Sequence, residues 1–91
     1  MNKENIKTLV DNIYNTILSI DGEFKWTVIS VPVNTWYVSY TARELHEEVM
    51  KTPTTVFIER FINLTEKYLE NKDENFNIAR KLLNGLKSKV F

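Results

Sequence analysis

The chain has one histidine, His46, in an acidic stretch that also holds Glu44, Glu47 and Glu48. Imidazole and carboxylate groups are the ones that proteins use to bind metals and transfer protons. On a helix, however, His46 points about 100° away from Glu47 and about 200° away from Glu48, so these side chains diverge. The stretch also lacks the second histidine of the HExxH zinc motif. The pattern favours a solvated helix face, and we expect no metal site.

Other motifs of catalysis and cofactor binding do not occur in the sequence. None of the four serines lies in a Gly-x-Ser-x-Gly context. Gly22 and Gly85 are the only glycines, so neither type of glycine-rich phosphate loop can form. The chain has no cysteine, which excludes thiolate sites and disulfides. We therefore expect no enzyme activity, no cofactor and no small-molecule substrate.

Composition and charge narrow the class of protein further. With 91 residues, of which 43% are hydrophobic and 26% charged, the chain is expected to form one domain, residues 1–91. The 12 basic and 12 acidic residues cancel, so the positive field typical of nucleic-acid-binding proteins is missing. No apolar run reaches the roughly 18 residues of a membrane span. We expect a cytoplasmic protein that binds neither membranes nor, by preference, nucleic acid.

Apolar residues at helical spacing begin at the N-terminus. They predict a first helix over residues 3–19, with Asn2 as its N-cap. Gly22 is expected to end this helix in a positive-φ conformation. From Phe24 to Tyr40 the period changes from 3.6 to 2, which predicts a β-hairpin.

Three more helices follow the predicted hairpin. The Thr41-Ala-Arg-Glu44 capping box predicts a helix to about residue 51. Thr52 and Pro53 predict the start of the next helix, and Asp73 the cap of the last. The expected order is α-β-β-α-α-α, a small α+β domain.

The parity of the large apolar residues predicts the hairpin register. An odd-length loop, with Asn34 in the left-handed conformation, would pair even-numbered residues with even-numbered residues. One face would then be the core side, formed by Phe24, Trp26, Val28, Trp36, Val38 and Tyr40. On this register, the opposite face provides a partner-binding strip of Ile29, Val31, Val33 and Tyr37.

The strip makes a non-enzymatic protein-binding domain the favoured hypothesis, with a heterologous partner or a second copy as the occupant. Asn, Ile and Lys make up 27 of the 91 residues, a bias expected from AT-rich coding DNA. A small, neutral, cysteine-free chain of this kind would fit a phage or mobile-element inhibitor of a host defence protein, such as an anti-CRISPR protein.

The alternative hypothesis is a DNA-binding regulator. The helix pair over residues 41–71 has a tight turn loosely like that of a helix-turn-helix, and the hairpin could act as a wing. The second helix of the pair would, however, present few basic residues to the groove, where its side chains would be Thr54, Thr55, Ile58 and Glu59. A basic bias occurs only among Arg80, Lys81, Lys87 and Lys89, where cations also complement a helix C-terminus.

Overall fold

The computed structural model describes residues 2–91 and has the predicted α-β-β-α-α-α order, which confirms the α+β class. Two short 3₁₀ helices, Gly22–Trp26 and Glu74–Phe76, lie between the longer elements. Those longer elements are α1 (Lys3–Ile20), β1 (Val28–Val33), β2 (Trp36–Thr41), α2 (Ala42–Lys51), α3 (Thr55–Leu69) and α4 (Asn77–Val90). One hydrophobic core receives side chains from all four α-helices and from both 3₁₀ helices.

The end of α1 differs from the prediction. Asn2 caps the start as expected, because its side chain accepts from the backbone amides of Glu4 and Asn5. At the other end the chain leaves the helix through Asp21 in an extended conformation, and Gly22 does not have a positive φ. The Asp21 carboxylate accepts from the amide of Glu23 at 3.0 Å and caps the following 3₁₀ turn.

This capped turn shortens the predicted first strand, which begins at Val28 and not at Phe24. Phe24 is fully buried, and its ring centroid lies 5.9 Å from that of Tyr14 and 4.7 Å from that of Tyr68. The 3₁₀ turn brings Phe24 into the core and leaves Trp26, two residues later, half exposed. The N-cap and one buried ring therefore override the strand propensity of this segment.

The hairpin loop has two residues, Asn34 and Thr35, so the predicted odd-length loop is wrong. Asn34 has a φ of 57°, which confirms its left-handed conformation and suits the first position of a two-residue hairpin turn. Val33 pairs with Trp36, and the even loop pairs odd residues of β1 with even residues of β2. The parity argument failed because Phe24 and Trp26 are not strand residues.

The correct register changes the predicted core face. Phe24 is buried, and Val38 and Tyr40 are partly buried. In contrast, Trp26, Val28 and Trp36 are 50%, 58% and 76% exposed, so their predicted burial is wrong. The face of the hairpin that turns towards the helices carries Ile29, Val31, Val33, Trp36, Val38 and Tyr40.

The caps of the later helices are partly as predicted. The Thr41 capping box is confirmed, with the Thr41 amide donating to Glu44 Oε1 at 2.9 Å. The N-cap of α3 is Thr54, so the predicted start at Thr52 and Pro53 is two residues early. Asp73 caps the short 3₁₀ helix that precedes α4, not α4 itself.

Candidate protein-binding surface

The tip of the hairpin carries the most exposed aromatic residues of the described chain. Trp36 and Tyr37 are each 76% exposed, and they follow the turn on opposite faces of β2. Trp26 lies before β1, with the Lys25 ammonium 5.3 Å from its ring centroid. Tryptophan and tyrosine are enriched among residues that dominate binding energy in protein interfaces.

The structure does not bring the four predicted partner-binding residues together. Ile29, Val31 and Val33 lie on the face that turns towards the helices, whereas Tyr37 lies on the outer face. Ile29 packs against the core, and Val33 is 37% exposed. The sequence analysis assigned Trp36 to the core and so missed it as an exposed residue. A two-residue turn at Asn34 and Thr35 would have given the correct register and placed Trp36 at the tip.

Backbone groups of the hairpin alternate between its interior and its two edges. Val33 and Trp36 flank a two-residue turn and form a hydrogen-bonded pair, and the Ala42 amide donates to the Thr27 carbonyl at 2.9 Å. Hydrogen-bonded and non-hydrogen-bonded pairs alternate along antiparallel strands, so the outer-face residues form the non-hydrogen-bonded pairs. Their amides and carbonyls therefore point away from the partner strand. These residues are Val28, Ser30 and Pro32 on β1 and Tyr37, Ser39 and Thr41 on β2.

The base of the hairpin is attached to α3 through Tyr40. Arg60 donates from Nη1 to the Tyr40 hydroxyl at 3.0 Å, and its guanidinium lies 5.2 Å from the Tyr40 ring centroid. The same guanidinium lies 5.5 Å from the ring of Phe57, which meets Tyr40 edge to face. Arg60 therefore holds the hairpin against α3, while the residues at the tip extend beyond this contact.

His46 is not on a solvated helix face, so that expectation is wrong. Its ring stacks on Tyr14 with centroids 4.2 Å apart, and its Nε2 lies 2.9 Å from Asp11 Oδ1. This places the histidine between α1 and α2, because α2 packs against α1 in the fold. Burial raises the pKa of the Tyr14 hydroxyl above its usual value. The cluster therefore joins α1 to α2 through a stacked ring pair and a hydrogen bond.

Two of the four cations near the C-terminus make structural contacts. Arg80 donates to the backbone carbonyls of Leu69, Lys72 and Asp73, which lie at the end of α3 and in the connection that follows it. Lys87 forms an ion pair with Glu66. Arg80 and Lys87 therefore connect α4 to α3 and its following connection, and they do not form a free cationic stripe with Lys81 and Lys89.

A second contact joins the start of the hairpin segment to α3. The Tyr68 hydroxyl donates to Asp21 Oδ2 at 2.5 Å. This hydrogen bond lowers the pKa of Asp21, and burial together with the carboxylate raises the pKa of Tyr68. The short 3₁₀ turn before β1 is therefore fixed at both Asp21 and Phe24.

Residues 2–91 contain no pocket and no group of three or more residues able to hold a metal ion. Within the same residues, no helix is both long enough and apolar enough to cross a membrane. Comparisons with protein-family models, with curated proteins and with solved structures found no match to the chain. The exposure of Trp36 and Tyr37 makes the hairpin surface the candidate site.

Proposed function

We propose that this protein is a protein-binding domain and that the exposed part of the hairpin is its contact surface. The observation that carries the proposal is the exposure of Trp36 and Tyr37 at the tip, where neither ring contributes to the hydrophobic core. Tryptophan and tyrosine are enriched among the residues that anchor protein interfaces, so two such rings exposed side by side in the sequence support a contact role for the tip.

The charge pattern of the chain supports the same surface. No charged residue lies between Lys25 and Arg43, although charged residues make up 26% of the chain. Interface centres are depleted in charge and enriched in aromatic residues, so this stretch has the composition of a contact region. A partner surface that is apolar and uncharged would match it.

The composition adds a hypothesis about the partner. The bias towards Asn, Ile and Lys fits a phage or mobile-element protein, for which a host defence protein is the proposed target. The DNA-binding alternative is less well supported, because Arg60 and Arg80 are engaged in contacts within the fold. The other basic residues are matched in number by acidic ones across the chain, so they do not supply the net positive charge that phosphate binding uses.

Site-specific photo-crosslinking tests the proposal. A benzoylphenylalanine placed at Trp36 or Tyr37 should crosslink to a discrete protein in a lysate of the native host. The matched control is the same group at Ile78 on α4, which is 66% exposed. Crosslinks of equal yield and identity from all three positions, or none from the hairpin, would contradict the proposal.

A further inference from the structure

We infer that β2 is a pairing edge that binds a second copy of this chain, so that two hairpins form one four-stranded antiparallel sheet. The inference rests on the proposed function of the hairpin and names one partner and its mode of binding. A two-stranded sheet has two edges, and the two edges of this hairpin differ in what they offer.

The β1 edge is blocked by proline. Pro32 is one of its outward-directed residues, and proline has no amide hydrogen to donate to another strand. This is a device by which natural sheets prevent edge pairing.

The β2 edge is open. Tyr37 and Ser39 are exposed, and each directs one amide and one carbonyl outward. The Thr41 amide is occupied by Glu44, which limits the open edge to these two residues. β2 contains no proline and no charged residue.

A two-fold arrangement satisfies all four outward groups. If Val38 lies opposite Val38 of the second copy, Tyr37 of each copy pairs with Ser39 of the other through two hydrogen bonds. The small Ser39 side chain then leaves space for the facing Tyr37 ring. On the other face, Trp36 lies opposite Tyr40 of the second copy, an aromatic pair of the kind that stabilises antiparallel strands.

A second copy is favoured over an unrelated strand because this match follows from the chain's own residues. The pairing segment is uncharged and the chain has a net charge of zero, so two copies do not repel each other. Pairing would also extend a sheet that has only two strands, which is the marginal limit for a sheet.

Sedimentation equilibrium of the purified protein over a series of concentrations tests the inference. Ser39→Pro removes an outward amide from the β2 edge, and Ser30→Pro is the matched control on the β1 edge. Both variants lose the same hydroxyl contact, Ser30 to Ser39 at 3.0 Å, and neither loses a bond between β1 and β2. We expect the wild type and Ser30→Pro to dimerise, and Ser39→Pro to weaken dimerisation at least about tenfold.

A disulfide trap covers the case in which a proline variant does not fold. The chain has no cysteine, so Val38→Cys introduces one thiol, which should form an intermolecular disulfide under mild oxidation. Val31→Cys, the cross-strand neighbour on β1, is the control and should stay reduced. Equal crosslinking at both positions would overturn the inference, as would a wild type that is monomeric at every concentration. A monomer whose hairpin still crosslinks to another protein would leave the proposed function standing.

Discussion

The helical body and the hairpin use their apolar residues in opposite ways. In the body, side chains such as Ile13, Phe61 and Leu86 are fully buried. In the hairpin, Trp36 and Tyr37 are 76% exposed, and Val28 on the outer face is 58% exposed. The body also carries nearly all of the charges, whereas no charged residue lies between Lys25 and Arg43.

The difference shows that aromatic content alone does not locate the core of this protein. Burial of large side chains stabilises the body, while the hairpin is held at its base by Tyr40 and Ile29. The rings at the tip are exposed and lie outside the hydrophobic core, so they contribute little to this burial. Substitutions in the two regions should separate these roles.

The largest effect is expected at the boundary between the two regions. Phe24→Ala should lower the free energy of unfolding by about 3–5 kcal/mol, because it empties a fully buried site between Tyr14 and Tyr68. Trp26→Ala, two residues later, should cost about 1 kcal/mol or less, since its ring is half exposed. Urea denaturation measures both. Equal losses would show that the boundary is misplaced.

A smaller loss is expected where α4 holds the end of α3. Arg80→Met keeps much of the length of the side chain but removes its donors to the carbonyls of Leu69, Lys72 and Asp73. We expect a loss of about 2 kcal/mol, because charged donors to backbone carbonyls contribute more than neutral ones. Lys81→Met on the exposed side of α4 is the control and should be nearly neutral. A neutral Arg80→Met would mean that the helices pack without this contact.

The contact between Asp21 and Tyr68 should make stability depend on pH. The lowered pKa of Asp21 contributes stability above the usual Asp pKa of about 3.9, and this is lost as the pH falls through the folded-state value. The raised pKa of Tyr68 contributes stability below the usual Tyr pKa of about 10, and this stability is lost as the pH rises through the folded-state value.

Tyr68→Phe should therefore flatten both limbs of the stability profile, which thermal melts over a pH series measure. Tyr37→Phe, in which the lost hydroxyl is on an exposed ring, is the matched control. A Tyr68→Phe profile that superimposes on the wild-type profile would show that the hydroxyl contact is not maintained in solution.

The smallest effect on stability is expected at the hairpin tip. The double variant Trp36→Ser and Tyr37→Ser should change the free energy of unfolding by about 0.5 kcal/mol or less, because both side chains are already in water. The same variant should abolish binding to the protein that crosslinks from Trp36 or Tyr37. A pull-down measures this binding, and a thermal melt of the same sample measures the stability. A large loss of stability would assign these rings to the fold and remove the main support for the proposed surface.

The helices were predictable because their signals are local. The capping box at Thr41 and the N-cap at Asn2 were found from a few neighbouring residues and are confirmed. The hairpin was also found, but its register was not, because the parity argument counted Phe24 and Trp26 as strand residues on the core side, whereas both lie in the 3₁₀ turn before β1. Asn34 indicated a turn with positive φ, and a two-residue loop was the simplest turn consistent with it.

The candidate site was only partly predictable for the same reason. The hairpin was predicted to be the contact element, which stays a prediction, and of its predicted residues Tyr37 is 76% and Val33 37% exposed. Ile29 was assigned to the surface, yet it packs against the core once the register is corrected. A one-residue change in pairing reverses which face each side chain occupies, so a small error in the loop changed most of the site.

By itself, the amino-acid sequence determined the order of elements, the caps that start α1 and α2, and the lack of charge in the hairpin, because periodicity, capping and composition depend on residues close together in the chain. Only the tertiary structure decided that Phe24 is buried while Trp26 is exposed, that His46 stacks on Tyr14, and that Arg80 binds the end of α3. These contacts join residues far apart along the chain or depend on how a turn faces its neighbours, and no local pattern encodes them.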